Sequence, residues 1–168
     1  MAPAGLRGQV SRCAAALGCG VLLAGCAGLP RALKLGQSVD EVQQRHGRPS
    51  ADYVRPDGGR KLEYASQPSS RHTYMLHFDA QGRLQRWEDV LDEEHFSHVR
   101  PGMTTRQLRE HLGPPSMEWH VRYHDQVVWT YRFQTSLCIV FHVGVTPQGI
   151  VEDSGYGPDE RCEKLERF

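Results

Sequence analysis

Shifted along itself by 66 residues, the chain falls into register with its own second half, and this duplication restricts the fold more than composition does. Leu35-Gly36-Gln37-Ser38 lands on Pro101-Gly102-Met103-Thr104, Val42 on Leu108, Gly47 on Gly113 and Pro49 on Pro115. After one residue of slippage, Tyr64 matches Tyr131 and Gly82 matches Gly149. The matched positions are caps and turns, so the two halves are expected to share one fold.

Each repeat opens with a helix signal. Ser38 with Glu41, and Thr104 with Gln107, are capping boxes in which the side chains at each end satisfy unpaired amide hydrogens. Val39, Val42 and His46 give the first helix a face, and Leu108 and Leu112 give the second one. Gly47 and Gly113 stand where a left-handed C-cap is wanted, and Pro49 and Pro115 block continuation two residues later. Such helices, about ten residues long, need tertiary packing to persist. Asp92 to His98 reads as another short helix before the second repeat, entered through the Pro101-Gly102 turn; its counterpart around Pro30 to Leu33 is weak.

Alternating apolar residues follow in both halves. Trp119, Val121 and Tyr123 precede a turn at His124-Asp125, and Val127, Trp129, Tyr131 and Phe133 continue beyond it. Leu137, Ile139, Phe141 and Val143 form a third strand, which Thr146-Pro147-Gln148-Gly149 turns into a fourth at Ile150. The first half repeats this with Tyr53, then Leu62 and Tyr64, then Tyr74, Leu76 and Phe78, and finally Leu84 and Trp87 beyond Asp79-Ala80-Gln81-Gly82. Pro56-Asp57-Gly58-Gly59 adds a strong turn signal. The expected class is α+β: two tandem units, each a helix-loop-helix plus an antiparallel meander, over residues 35–90 and 91–157, with a tail at 158–168. A sheet with helices on one face leaves its other face open.

Ahead of the repeats, Arg7 and Arg12 precede an apolar, uncharged run from Cys13 to Leu23. A basic start, a short apolar run and small residues describe a secretory signal over residues 1–25, too short to span a bilayer stably. Its end, Leu23-Ala24-Gly25-Cys26, resembles the lipobox of bacterial lipoproteins, in which the cysteine is acylated and becomes the mature N-terminus. An ordinary exported chain with an unrelated cysteine, or an uncleaved signal anchor, are the alternatives. Cys19 also follows a glycine, but Ala16-Leu17-Gly18 is a poorer match where Leu23 sits. Residues 26–34 then form the acylated N-terminus and a short tether. The lipoprotein resemblance implies three acyl chains, more than the two that stable anchoring takes. It also implies, from Ala27 in place of an aspartate, the outer membrane, with the body facing the periplasm. The ten residues from Cys26 to Gly36 reach at most about 35 Å.

Cleavage leaves 143 of the 168 residues, enough for one compact domain or two very small ones packed together. With Arg7 and Arg12 gone, 18 basic residues face 20 acidic ones, which gives no basis for a nucleic-acid partner. Cys138 and Cys162 remain as an even pair, which in an oxidising compartment suggests a disulfide worth about 3 kcal/mol. The other reading is a buried thiol in an apolar strand and a loose one in the tail.

Enzyme chemistry finds little support. His95 and His98 could share a helical face beside Asp92, Glu93 and Glu94, and His120 and His124 have ligand-like spacing, yet the latter fall on a strand and turn. Solvated histidines are the expected state, with no metal and no cofactor. No nucleophile elbow, zinc-protease motif or phosphate-cradling loop is present in the sequence, so a non-enzymatic role is expected. Glu152-Asp153 and Asp92-Glu93-Glu94 read as solvated or dipole-complementing clusters. Most aromatic residues are expected to fill two small cores, but some Trp and Tyr side chains are expected on an open sheet face, where they make good binding anchors. Trp119, Trp129, Tyr131 and Tyr64 are the candidates.

The whole pattern resembles the SmpA/OmlA (BamE-like) family of small outer-membrane lipoproteins. The residues that carry it are Leu35-Gly36-Gln37-Ser38 with Val42, Gly47 and Pro49, then Leu62-Glu63-Tyr64 and the turn from Phe78-Asp79 to Gly82. In the second copy they are Pro101-Gly102-Met103-Thr104, Leu112-Gly113 with Pro115, Trp129 with Tyr131, and Gly149. Doubling of the unit resembles the tandem architecture of the β-lactamase inhibitor protein. The family resemblance implies a periplasm-facing, protein-binding lipoprotein. Its expected partners are envelope proteins, the β-barrel assembly machinery among them, and its role the support of outer-membrane integrity or barrel-protein assembly. The tandem likeness implies an alternative, an inhibitor or sequestering protein for a periplasmic enzyme. A metal-handling or weakly hydrolytic protein using the histidines is a third reading.

Overall fold

Residues 29, 33–66, 71–123 and 125–163 are described in the computed structural model of the chain. The signal segment, Cys26, Ala27 and most of the tether, as well as His124, lie outside the described residues. Helix α1 (Val39–His46) leads into strands β1 (Ala51–Val54), β2 (Arg60–Ala65), β3 (Thr73–Phe78) and β4 (Leu84–Asp89). A one-turn helix α2 (Glu93–Phe96) and helix α3 (Thr105–Leu112) precede β5 (Met117–Val121), β6 (Gln126–Tyr131), β7 (Ile139–Val145) and β8 (Val151–Pro158), and a one-turn helix α4 (Glu160–Glu163) closes the series. The strands form two separate antiparallel sheets in simple meander order, β1-β2-β3-β4 and β5-β6-β7-β8.

The expected α+β pair of helix-loop-helix plus meander units is corrected by this arrangement. Among the described residues, those in strands outnumber those in helices by two to one, and each sheet carries a single eight-residue helix. The segments before those helices are extended because they hydrogen-bond to the last strand of their own sheet. Gly36 N donates to Leu84 O and Leu84 N to Gln37 O, at 2.8 and 2.9 Å; Gly102 N donates to Val151 O and Val151 N to Met103 O, both at 2.8 Å. A backbone already paired this way cannot also close helical turns. Asp92 to His98 shortens to the single turn of α2, capped by Asp92, whose Phe96 is buried against Phe141 and Phe133 at ring separations of 4.4 and 5.1 Å.

Both capping boxes form. Gly47 and Gly113 have φ of 81° and 76°, as a glycine-only C-cap requires, but ψ of −172° and −163° takes them out of the left-handed helical region. The two units repeat each other bond for bond. Tyr64 Oη donates to Gly47 O at 3.1 Å and Tyr131 Oη to Gly113 O at 3.3 Å. Ser50 N donates to Glu63 O at 2.8 Å, and Ser116 N to Thr130 O at 2.7 Å. Each third-to-fourth strand pairing carries a register shift, at His77/Phe78 and at Gly144/Val145.

Helix α1 packs Val39 and Val42 on Leu62, Tyr64, Leu76, Phe78 and Leu84, and α3 packs Leu108 and Leu112 on Trp129, Tyr131, Phe141 and Val143. Each such aliphatic or aromatic side chain, fully buried, contributes about 1.5–3 kcal/mol. The other face of the first sheet is covered by the end of α3. Lys61 Nζ donates to Glu110 O, as suits a cation at a helix C-terminus, and lies 5.0 Å above the Tyr53 ring. Tyr53 Oη donates to Glu63 Oε2 at 2.9 Å. Burial lowers the Lys61 pKa, and burial followed by the Glu63 charge raises that of Tyr53. Gly113 is buried so tightly that a Cβ there would lie 2.7 Å from Thr73 Cγ2. Among the described residues, no helix is long and apolar enough to cross a membrane.

Gly47 offers a control for that close approach, because a Cβ at Gly47 meets nothing within 4 Å. Gly47→Ala is expected to cost only its backbone strain, about 1–3 kcal/mol. Gly113→Ala should cost about 1–3 kcal/mol more through overpacking against Thr73. Urea denaturation of both variants measures the difference; equal losses would show that the junction does not constrain Gly113.

Candidate functional site: the outward face of the second sheet

Alternation along the strands sends every second residue of the second sheet away from α3. Cross-strand pairing lines up Met117, Thr130, His142 and Gly155 in one row, and Trp119, Val128, Gly144 and Asp153 in the next. Arg132 and Val140 line the same face, with Val140 opposite Gly157. Val128, Thr130, Val140 and Arg132 are buried, whereas Met117 and Trp119 are 40% and 42% exposed. Together with His142, Pro158, Asp159 and Glu160, Met117, Trp119, Thr130, Arg132 and Val140 surround a hollow of about 150 Å³. That volume is of the order of one large side chain.

Two glycines of β8 lie beside the hollow, opposite His142 and Val140. Gly155 holds the place that Glu88 holds in the first sheet, judged from the pairing of Met75 with Glu88 and of His142 with Gly155. A Cβ at Gly155 would point into open space, and at Gly157 it would lie 2.9 Å from the His142 ring. His142 Nδ1 is 3.1 Å from Thr130 Oγ1, and its ring meets Trp119 edge-on at 6.5 Å. Burial first, then the neighbouring Arg132 charge, hold His142 below its ordinary pKa.

One end of the hollow is a buried ion pair. Arg132 Nε and Nη2 donate to Asp159 Oδ2 and Oδ1 at 3.0 and 3.1 Å, a bidentate geometry that suits a desolvated carboxylate. Burial opposes ionisation of Asp159, but hydrogen bonds from Arg132 and from the Arg161 amide hold its pKa below the usual range. Arg132 Nη1 is buried with no hydrogen-bond partner among the described residues.

Of the sequence-derived anchors, the structure puts Trp119 on this face. Trp129 and Tyr131 lie on the opposite face with 8% and 0% exposure, and Tyr64 is buried in the first core. The reason is parity: they alternate with Thr130 and Glu63, and both tyrosines spend their hydroxyls on helix-end glycine carbonyls. Sequence reading missed Met117 and His142, which share the outward parity of Trp119 and Thr130. It missed the Arg132–Asp159 pair, whose partners are 27 residues apart with no local signal. Cys138 and Cys162 are free thiols whose side chains hydrogen-bond to each other, which raises Cys162 to about 11.

The histidines gather elsewhere. His95 pairs with Asp92 at 2.7 Å and approaches Glu88 at 3.8 Å, His77 pairs with Glu88 at 2.8 Å, and His111 Nε2 lies 2.8 Å from His95 O. The rings of His95 and His98 lie 5.8 and 6.3 Å from that of His111. Among the described residues, no group of three His, Cys, Asp or Glu side chains could hold a metal ion.

No protein-family model matches the chain, and no curated protein matches it. Among solved structures it is similar to a "putative beta-lactamase inhibitor protein" from Streptococcus mutans, at 11% identity and a TM-score of 0.33, over 73% of this chain and 83% of that one. It is similar to a DUF4309 family protein from Bacillus subtilis, at 13% identity and a TM-score of 0.29, over 73% and 78%. A cysteine-rich secretory protein from Staphylococcus aureus gives 11% identity and a TM-score of 0.29, over 80% of this chain and 46% of that one. TM-scores this low carry no argument about fold or function, and the SmpA/OmlA resemblance gains no support from them.

The buried pair predicts an asymmetric response. Asp159→Ala strands a buried guanidinium and is expected to cost about 3–5 kcal/mol, whereas Arg132→Met with Asp159→Leu should cost far less. Denaturation midpoints of the two variants decide; equal losses would mean that the pair is not desolvated.

Burial also holds His46, His77 and His111 below 6.5, as it does His142. The unfolded chain therefore binds more protons as the pH falls below 6.5, and stability, full above that value, should drop as the pH passes down through the folded-state values. His142→Gln should flatten the decline measured between about pH 7 and about pH 5. An unchanged slope would remove His142 from the account.

Proposed function

We propose that the chain is a non-enzymatic, lipid-anchored protein of the outer membrane, facing the periplasm, that binds protein through the open face of its second sheet. The observation that carries this reading is the half-exposed Trp119 and Met117 around a side-chain-sized hollow, beside a face whose equivalent in the first unit is occupied. Trp in a desolvated, well-packed setting is the residue type most often responsible for binding energy at interfaces. The lipobox at Cys26 supports the location, and the tether of ten residues to Gly36 keeps the domain close against one leaflet. A module held there suits support of outer-membrane integrity or of barrel-protein assembly.

Crosslinking in intact envelopes followed by purification tests this. The wild-type chain is expected to bring down envelope proteins, and Trp119→Ala to recover about tenfold less of them while keeping its denaturation midpoint. Undiminished recovery from Trp119→Ala would sink the assignment of the face. Recovery of a periplasmic hydrolase in place of envelope scaffold proteins would replace this reading with that of an inhibitor. Cys26→Ala should release the chain from membranes.

A further inference from the structure

We propose that Cys138 and Cys162 are an oxidation clasp: joined as a disulfide, they fasten α4 to the start of β7, fix Asp159 between them and so set the end wall of the hollow. The proposal rests on two earlier readings, the export of the chain and the hollow as its binding site.

Asp159 is the residue on which that end of the molecule turns. The pairing of Ile139 with Pro158 is extended by one bond, in which Asp159 N donates to Cys138 O at 2.9 Å. The Asp159 carboxylate takes both hydrogen bonds from Arg132, and its carbonyl accepts from Cys162 N at 2.9 Å. Its Oδ1 also accepts from Arg161 N at 3.1 Å, which starts α4. One backbone group thus ties Asp159 to Cys138 and the other ties it to Cys162. Pro158, Asp159 and Glu160 together line one side of the hollow.

Little else secures α4. It is a single turn, too short to hold itself, and its sequence, Glu160-Arg161-Cys162-Glu163, contains no large apolar residue to bury. Fraying of α4 would carry Asp159 away and leave Arg132 buried without its carboxylate. Cys162 is placed to prevent this. Its thiol hydrogen-bonds to that of Cys138, and the two line one small cavity with Arg71, Arg132 and Asp159. Side chains that already meet satisfy the first demand of a bridge, Cβ bonds directed toward each other. A bond there closes a covalent ring through Asp159.

The order of the chemistry follows from exposure. Cys138 is exposed and Cys162 is half-buried, so an incoming oxidant meets Cys138 first. The hydrogen bond to Cys138 holds the Cys162 thiol up to about 11, which keeps Cys162 protonated and in reserve. The oxidant is a disulfide, carried by a small molecule or by a protein of the exported compartment. The Cys138 thiolate bonds to one of its sulfurs and expels the other as a thiolate. That step removes the hydrogen bond to Cys138, so Cys162 ionises, attacks the Cys138 sulfur and expels the second thiolate. Both cysteine protons and two electrons end on the donor, which leaves as two thiols.

The full chain, purified in detergent and reduced, serves for the test. On addition of oxidised glutathione, peptide mapping is expected to show Cys138 joined to Cys162, closed to maleimide and lighter by both thiol hydrogens. Glutathione retained on Cys138, or copies linked through it, would overturn the clasp. Closure should raise the denaturation midpoint by about 10 °C and slow amide exchange across residues 159–162 about tenfold. Neither change should follow in a chain carrying Cys138→Ser and Cys162→Ser. A bridge that closes without slowing that exchange would overturn the fixing of Asp159. In untreated envelopes, maleimide should reach the two cysteines only after reduction. A pair that closes with glutathione yet is reactive in untreated envelopes would overturn the reading of export and leave the clasp as a property of the fold.

Discussion

Each long helix is fastened at both ends by its own sheet, and the rest of the molecule follows from that. At the N-terminal end, the extended residues before the cap exchange backbone hydrogen bonds with the last strand; at the C-terminal end, a tyrosine hydroxyl from the second strand holds the carbonyl of the glycine cap. An eight-residue helix is too short to be stable alone. Fastened at both ends, it becomes a rigid plug over the core, and its glycine end becomes a defined surface that can be pressed against another sheet. The tight approach of Gly113 to Thr73 depends on that rigidity.

The sequence shows this framework where the signal is local. Capping boxes, the turns at Asp79 to Gly82 and Thr146 to Gly149, and the alternation of Leu62 with Tyr64 or Trp129 with Tyr131 each lie within a few residues, and the structure places them as turns, caps and strands. The helix expected over Asp92 to His98 shortens to α2, and that expected around Pro30 to Leu33 falls largely outside the described residues; just before α1 and α3 the chain is extended because its partner is a strand 48 or 49 residues on, as in Gly36 with Leu84 and Gly102 with Val151. The aromatic anchors illustrate a second limit. Period-two alternation shows that Trp129 and Thr130 face opposite ways, but says nothing about which face the helix covers. That choice comes from Leu108 and Leu112 on α3, and it buries Trp129 while leaving Trp119 outside. The Arg132–Asp159 pair and the hollow beside it depend on which strands are brought together, which no short motif encodes.

The two halves have kept their skeleton and diverged on their outer faces. In the first sheet, the face away from α1 is rich in charge, and its carboxylates find partners, Glu63 with Tyr53 and Glu88 with His77 and Arg86. In the second sheet Val128, Thr130 and Gly155 stand in place of Lys61, Glu63 and Glu88, with Asp153 charged at the margin and the buried Arg132–Asp159 pair at one end. A charged face whose carboxylates are paired suits a contact fixed within one chain. An apolar face rimmed by charge suits a contact made and broken in water, where burial supplies affinity and the rim supplies selectivity.

The last strand has a further role. β8 is eight residues long and forms the edge of the second sheet, the kind of border to which foreign strands readily add. Its exposed Glu152 and Asp153 put charge along that border, its glycines at 155 and 157 lower its strand propensity, and Pro158 offers no amide hydrogen at its end. The border is therefore a poor template for β-addition. That border protects the fold against irreversible strand-to-strand stacking and leaves the side-chain face of the sheet, where contacts stay reversible, as the surface for association.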